Sequence, residues 1–175
     1  MTHPAISTLI ATNLEWLKQA LDLLNQISDE AFNTSPVSMT PHRVSSHLRH
    51  VLEFYECFFD GAPKGAVDYD ARRRDEAVER SRQYAAARIR LLMGWFEASA
   101  WPECETVLVR MEGRSGESML QSSVARELQA LSSHTIHHFA LIAMTLRGHG
   151  IVLHPDFGTS PSTLLYRASL AEAAA

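Results

Sequence analysis

Residues 122–148, SSVARELQALSSHTIHHFALIAMTLRG, decide the fold class of this chain. Apolar side chains recur in this stretch at three- and four-residue steps, which is the spacing of one face of an α-helix. A serine at 122 or 123 can cap the first turn, and Gly148 can end the helix. The face consists of Val124, Leu128, Leu131, His138, Ile142 and Thr145. The stretch is therefore predicted to form a long amphipathic helix that buries one side against other elements.

Three earlier segments are predicted to form helices as well. The first runs from Ala5 to Ile27 and carries an apolar stripe with the same spacing. The second starts at Thr40-Pro41, where a hydroxyl cap precedes a proline in the first turn, and extends to about Asp60. The third covers about Ala71 to Ala100. Because four long helices occur without alternating strands, the fold class is predicted to be all-α, a four-helix bundle.

The link between the third and fourth helices is long enough for a crossover and contains a candidate β-hairpin. Residues from Glu105 to Met111 alternate between apolar and polar side chains, as in a strand. Gly113 to Gly116 could then turn the chain into a second strand near Ser118 to Leu120. After residue 150 the chain is rich in loop-forming residues, with a short helix expected from Ser162.

Length and composition exclude several classes of protein. With 175 residues, 46% of them hydrophobic, the chain can bury a core of its own and lacks the bias of collagen or of disordered chains. Neither a repeat nor a linker divides the sequence, so residues 1–175 are predicted to form one helical domain with a loop-rich tail from about 150. The net charge of −4 makes nucleic acid an unexpected partner.

The composition and the pattern of apolar residues also bear on the cellular location of the protein. No apolar run reaches the roughly 20 residues that span a bilayer, so no membrane association is expected. The N-terminal residues do not show the pattern of a signal peptide. The two cysteines, Cys57 and Cys104, are too few for a disulfide framework and fit a reducing environment. A cytoplasmic location is therefore expected.

Nine histidines are the unusual feature of the composition, and several cluster in two predicted helices. His47 and His50 lie in the second helix, and His134, His137 and His138 lie in the fourth. His134 and His138 are four residues apart, so their side chains lie about 40° apart around the axis and can bind one cation. His137 points about 100° away from His138. A single such pair is more often structural, but several imidazoles near a core are costly to desolvate without partners.

Spacing also narrows the kind of metal site. A zinc protease would need glutamate where Thr135 stands, and bundle di-iron proteins need Glu-x-x-His pairs, which the sequence lacks. A mononuclear all-histidine site remains, and zinc, nickel, iron and copper all accept imidazole ligands. Three histidines would leave coordination positions open for water or substrate, as in catalytic sites. Angular position favours His47 as the ligand from helix two, because it lies about 60° from the centre of the apolar stripe and His50 about 120°.

Five segments of the chain are similar to those of a known family. They are residues 47–53 (HLRHVLE), 134–138 (HTIHH), 69–75 (YDARRRD), 155–158 (PDFG) and 161–163 (PST). Together they resemble the DinB-like superfamily, and the resemblance covers nearly the whole chain. It implies a four-helix bundle, often a homodimer, with a divalent metal held by His50, His134 and His138. The family ligand in helix two directly precedes a Val/Leu-x-acid segment like residues 51–53, which favours His50 over His47.

The resemblance also implies a function. Characterised relatives include thiol-dependent transferases and isomerases that use low-molecular-weight thiols such as bacillithiol or mycothiol. A metal-dependent enzyme is therefore expected, with zinc or nickel first and iron also compatible, acting as a Lewis acid that binds a thiol or water. Thiol transfer to a small electrophile is the first reaction class and hydrolysis the second. In the related ergothioneine-forming sulfoxide synthases the histidine pair continues as His-x-x-x-His-x-Glu, whereas this chain has Ala140 at the last position.

Two other functions are compatible with the sequence. The first is a non-catalytic module that binds a small ligand or acts in a stress response. The second is a structural homodimer in which the histidines only pack. The absence of a recognisable general base keeps the binding module open as an alternative, and the catalytic residues are not identified by the sequence.

Further residues are candidates for the surroundings of the site. Glu53 could accept a hydrogen bond from the free ring nitrogen of His50 and so orient that ring, or it could simply face outward. His47 and His137 are alternate or supporting ligands. Tyr69 could contact a substrate, and Arg72 could attract an anionic one such as a thiol carboxylate. A packing tyrosine and a charge-balanced arginine are the structural alternatives.

Overall fold

Helices form most of the molecule. The structure is a computed structural model that describes residues 4–37, 41–98, 106–110 and 119–173. Helices account for 74% of these residues, and a small three-stranded sheet accompanies them. The prediction of a mainly helical fold is thus confirmed, whereas a purely all-α class omits the sheet. None of the helices in the described ranges combines the length and the apolar character needed to cross a bilayer.

Four long helices enclose the core. They are α1 (Pro4–Gln26), α3 (Val44–Gly61), α5 (Arg82–Ala98) and α6 (Val124–Gly148). Helices α1 and α3 each pack against both α5 and α6. The shorter helices are α2 (Asp29–Asn33), α4 (Glu76–Arg80) and α7 (Pro161–Ala173). Leu48, Ile89, Leu128 and Ile142 are fully buried, and burial of each such side chain contributes roughly 1.5–3 kcal/mol.

Helix α6 forms as predicted. The hydroxyl of Ser123 accepts a hydrogen bond from the backbone N–H of Arg126, which caps the first turn. Gly148 is the last helical residue. The left-handed residue that follows is Gly150, with φ +76°, rather than Gly148 itself. The predicted short helix near residue 162 is also present as α7, although none of its residues is buried.

Helix α3 begins later than predicted. Pro41 lies in a turn and the first helical residue is Val44, whose side chain is fully buried; Thr40 lies outside the described residues. Arg43 is the N-cap residue, with extended backbone and without a capping side-chain hydrogen bond. Residues 41–43 are exposed, so the start of the helix is set by the first apolar side chain that can pack and not by the hydroxyl–proline signal.

The predicted third helix is broken into pieces. A 3₁₀ turn at Tyr69–Ala71 leads into an irregular stretch in which Arg74 has a positive φ of 53°, then α4, and Ser81 separates α4 from α5. Side chains compete for the backbone here: the carboxylate of Asp75 accepts from the N–H of Ala77, and the hydroxyl of Ser81 accepts from that of Tyr84. A continuous helix from Ala71 is therefore wrong. Its predicted end at residues 99–102 lies outside the described residues.

The sheet contains one strand that was not predicted. Strand β2 (Thr106–Arg110) pairs antiparallel with β3 (Leu120–Ser123), as expected for the hairpin, while its predicted turn lies outside the described residues. The additional strand β1 (Ala66–Asp68) pairs in parallel with β2. A three-residue strand carries too little alternation to be recognised in a sequence. Strand β1 lies directly against α3 at Gly61, where a Cβ would clash with the backbone of Ala66 and Val67. Glycine therefore permits this close approach.

Candidate metal centre

Three of the predicted ligands lie together where α3 packs against α6. One ring nitrogen from each of His50, His134 and His138 lies within 4.8 Å of the others. The ring centroids are 4.9 Å apart for His50 and His134, 4.7 Å for His50 and His138, and 4.5 Å for His134 and His138. All three side chains are partly buried. The one-turn spacing on α6 and the packing of α3 across it therefore produce a compact imidazole cluster.

The nitrogen positions fit a metal ion. Nε2 of His50 and Nε2 of His134 are 3.1 Å apart. Two nitrogens bound to one tetrahedral zinc ion at about 2.0–2.1 Å lie about 3.3 Å from each other. The two helices thus hold this pair close to the separation that a shared ion would require, before any ligand has moved.

His134 has unmet bonding capacity within this cluster. Its Nδ1 is buried and has no hydrogen-bond partner within the described ranges. Either neutral tautomer leaves that atom as an unsatisfied donor or acceptor, because Nε2 already faces His50. Buried polar atoms are nearly always partnered, so this nitrogen is an exception within the cluster. With Nε2 as the nitrogen that faces His50, Nδ1 is the one left as an unpaired N–H when a metal binds.

Electrostatics keeps the three imidazoles neutral. Burial, followed by the positive charge of Arg72, lowers the pKa of His50 to about 4. Burial, followed by His50, lowers the pKa of His134 to about 4. Burial, followed by His134, lowers the pKa of His138 to about 3. At neutral pH each of these imidazoles is therefore neutral and keeps one unprotonated ring nitrogen, which is the form that binds a metal.

His47 supports the cluster and is not one of the three converging residues. Its Nδ1 lies 3.1 Å from Nδ1 of His138, and its Nε2 lies 3.2 Å from Nδ1 of His42. With Nδ1 of His138 directed towards His47, Nε2 is the nitrogen of that ring that can serve as a ligand. Such a contact orients a ligand ring. His137 is exposed, and its ring lies 5.2 Å from that of His138.

The contact with His42 was not anticipated. The rings of His42 and His47 are stacked, with centroids 5.3 Å apart. His42 lies before the first helical residue, Val44, so helical spacing could not relate it to the other histidines. Its position depends on the turn that precedes α3.

Glu53 has a different role from the one considered in the sequence. One of its carboxylate oxygens accepts a hydrogen bond from Arg49 at 3.0 Å, and the other accepts from the backbone N–H of Asp75 at 2.8 Å. Its side chain is only 3% exposed. Both oxygens are therefore committed to these donors, and Glu53 fastens the segment before α4 to α3 instead of orienting the ring of His50.

An aromatic wall closes one side of the centre. The ring of Phe54 stacks on His134 with centroids 4.0 Å apart, and Tyr69 stacks on Phe54 at 5.0 Å. The Arg72 guanidinium lies 5.0 Å from the centre of the Phe54 ring. Phe54 follows His50 by four residues, the spacing of one helix face, and this relation was the available signal for it.

Tyr69 and Cys57 are held in their neutral forms. The hydroxyl of Tyr69 donates to the Glu127 carboxylate at 2.9 Å, and burial together with that carboxylate raises the tyrosine pKa. Burial raises the pKa of the partly buried Cys57 thiol to about 11. Neither group is an anion at neutral pH, so a cysteine nucleophile is not favoured.

Comparisons with known proteins leave the family open. No protein-family model matches the chain, and no solved structure matches it. A curated protein, FK506-binding protein 5 of Rhizopus delemar, is 33% identical over an alignment of 102 residues, and the match covers 56% of this chain and 26% of that protein. The chain thus spans about a quarter of the length of this relative. Fold and site by themselves define a mainly helical protein with a three-histidine group that could hold a metal ion.

Proposed function

We propose that this protein is a DinB-like four-helix bundle that holds one divalent metal ion on His50, His134 and His138. The observation that carries the proposal is the convergence of three imidazole nitrogens from two helices within 4.8 Å. Zinc and nickel suit three neutral imidazoles, and iron is also compatible. From the resemblance to DinB-like proteins we propose a thiol-dependent transferase, acting on a small electrophile with a low-molecular-weight thiol.

The histidines and Phe54 would have different roles at this metal centre. A divalent ion supplies a Lewis acid that lowers the pKa of a bound thiol or water. His50, His134 and His138 are already neutral, so binding need not displace protons near pH 7. His47 orients His138 through its ring nitrogen. Phe54 covers the face of His134 and excludes water from that side.

A non-catalytic binding module is the second candidate. It is favoured by the carboxylates around the centre, which are engaged elsewhere: Glu53 with Arg49 and the backbone of Asp75, and Glu127 with Tyr69. A general base must be within reach of the proton that it takes. Such a protein would use the same metal centre to hold a small ligand without turnover.

Metal binding is the first test. The metal-stripped protein is titrated with Zn²⁺ and with Ni²⁺, and the bound metal is measured by elemental analysis after desalting. One ion per chain is expected for the wild type. Loss of a supporting contact typically costs 10–100-fold in affinity, so loss of a direct ligand in His134→Ala or His138→Ala should cost more than about 100-fold.

His137→Ala is the matched control on the same helix. His137 is exposed and lies next to His138, but it is outside the converging group, so its replacement should leave affinity within about twofold. A folded wild-type protein that takes up neither metal would refute the centre. Equal losses in His137→Ala and His138→Ala would show that the geometry of the cluster is not what binds the ion.

Turnover separates the two functions. The metal-loaded protein is incubated with cysteine, a cysteine-derived low-molecular-weight thiol or glutathione, together with a small electrophile, and thiol consumption is followed. Consumption that disappears in His134→Ala supports the transferase. Saturable thiol binding without consumption, detected by calorimetry, supports the binding module.

A further inference from the structure

Arg72 is a partly buried cation beside the three-histidine group, and no carboxylate pairs with it within the described ranges. Its guanidinium carbon lies 5.0 Å from the centre of the Phe54 ring. The Phe54 ring centre is in turn 4.0 Å from that of His134. The guanidinium is therefore no more than about 9 Å from a ligand ring, given these two distances. A small molecule can span that separation.

The carboxylates of the neighbouring segments are bound to other donors. They include Glu53 (Arg49 and the Asp75 N–H), Glu56 (Arg88), Asp60 (Arg73), Asp68 (Arg110), Asp75 (Tyr84 and the Ala77 N–H) and Glu127 (Tyr69 and Ser122). The adjacent Arg73 thus has its counter-ion in Asp60, and its side chain is 69% exposed. Arg72 is more buried and has an aromatic contact in place of an ion pair.

The backbone around Arg72 is fixed at both ends. On one side Tyr69, fully embedded in the core, donates its hydroxyl hydrogen to Glu127. On the other side the N–H of Asp75 donates to Glu53 on α3. Arg72 itself is extended, with φ −57° and ψ 139°. The side chain therefore projects from a segment that is held in place, which lowers the conformational cost of binding a ligand.

We infer that Arg72 binds the carboxylate of a small ligand whose other end reaches the three-histidine centre. The inference rests on the proposed metal function and adds the ligand class, a small carboxylate. A guanidinium presents two parallel N–H groups that match a carboxylate, and this geometry gives strong, charge-assisted hydrogen bonds. The cation–π contact with Phe54 does not use those N–H donors.

The test uses the cobalt-loaded protein and two probes. Cobalt reports sulfur coordination through its absorption spectrum, and the probes are 3-mercaptopropionate and its uncharged methyl ester. The wild type is expected to bind the acid at least about tenfold more tightly than the ester, since hydrogen bonds to charged groups are worth that factor or more. Arg72→Gln should weaken binding of the acid about tenfold and leave binding of the ester unchanged.

Two further variants separate charge from position. Arg73→Gln is the matched control, because it removes an adjacent positive charge that is already paired with Asp60, and it should leave both probes unaffected. Arg72→Lys keeps the positive charge but lacks the two parallel N–H donors of the guanidinium, so it should keep part of the preference for the acid. If Arg72→Gln does not fold, Arg72→Lys alone still distinguishes a reduced preference from an unchanged one.

The outcomes are distinguishable from those of the metal proposal. Cobalt uptake is measured before any thiol is added, so a wild type that binds no cobalt refutes the centre and this inference with it. A protein that binds cobalt but shows the same acid-to-ester ratio in the wild type and in the Arg72 variants refutes the inference alone. The same holds if Arg73→Gln lowers the ratio as much as Arg72→Gln.

Discussion

On the side of α3 that faces α6, His47 and His50 lie against other imidazoles, whereas elsewhere on the same helix Glu53 and Glu56 accept hydrogen bonds from arginines. The second region is closed, because each buried carboxylate already has its counter-charge. The first region is open in the sense that its imidazoles are neutral and can offer lone pairs to a cation. One helix thus carries a structural polar network and a candidate binding centre.

The difference follows from the chemistry of the groups. A carboxylate or a guanidinium that is buried must be paired, since an isolated buried charge is very costly. An imidazole can instead lose its proton and remain neutral, as the lowered pKa values of His50, His134 and His138 indicate. Neutral histidines can therefore be partly buried without a counter-charge and still offer a lone pair to a metal ion.

The largest expected effect is on the closed side. Glu53→Ala would leave the Asp75 N–H without its buried acceptor and would leave Arg49 with Glu79 as its other carboxylate partner; the Glu53 side chain is only 3% exposed. Hydrogen bonds to a charged group are worth about 1.5–3 kcal/mol each, so the loss of both is expected to lower the unfolding free energy by about 3 kcal/mol in chemical denaturation. Metal bound per folded chain should stay at the wild-type value. Loss of the metal in the folded variant would show that the two regions are coupled.

The next effect is on the open side. His47→Ala removes the ring that contacts His138 and leaves the three converging residues in place. Metal affinity is expected to fall about 10–100-fold, the range for loss of a partner that orients a ligand. Competition with a chromogenic chelator measures it. An affinity equal to that of the wild type would mean that His138 is held by its helix alone.

A pH dependence of stability should distinguish the regions as well. The folded-state pKa values of about 4 for His50 and His134 and about 3 for His138 lie below the ordinary value of roughly 6.5. Between these limits the unfolded chain binds more protons than the folded one, so the metal-free protein should lose stability as pH falls from about 6.5 towards 4. Thermal unfolding should show a weaker dependence when the three histidines are replaced by glutamine. An identical dependence would place the acid sensitivity elsewhere.

The smallest effect is expected for an exposed ion pair near the closed network. Glu76 and Arg80 are four residues apart on α4, with side chains that are 75% and 72% exposed. Glu76→Ala should change stability by no more than about 0.5 kcal/mol in chemical denaturation, because solvent screens such a pair. A loss as large as that for Glu53→Ala would remove the distinction between buried and exposed carboxylates on which the comparison rests.

Local signals predicted α6 and one pair of histidines. The serine cap, the apolar stripe and the four-residue step between His134 and His138 all belong to a single helix, where spacing determines which side chains share a face. The choice between His47 and His50 could not be made in this way. Angular position favoured His47, the family resemblance favoured His50, and the structure places His50 in the converging group and His47 beside it.

Local signals failed where distant parts of the chain compete. Arg82 donates to the carbonyl oxygens of Leu24 and Ile27 at the end of α1, and the chain breaks between α4 and α5 just before it. Strand β1 forms only because β2 lies beside it. The aromatic contact of Phe54 with His134 likewise joins residues that are far apart in sequence.

The mainly helical class, the position of the longest helix and the pair of histidines one turn apart follow from the sequence alone, because they depend on a periodicity that a single helix contains. The three-dimensional packing was needed to show which histidine of α3 meets that pair, which carboxylates are bound to arginines and that Arg72 lies beside the centre with an aromatic partner. These relations depend on how helices pack, and packing brings together side chains whose spacing in the chain carries no information about their distance.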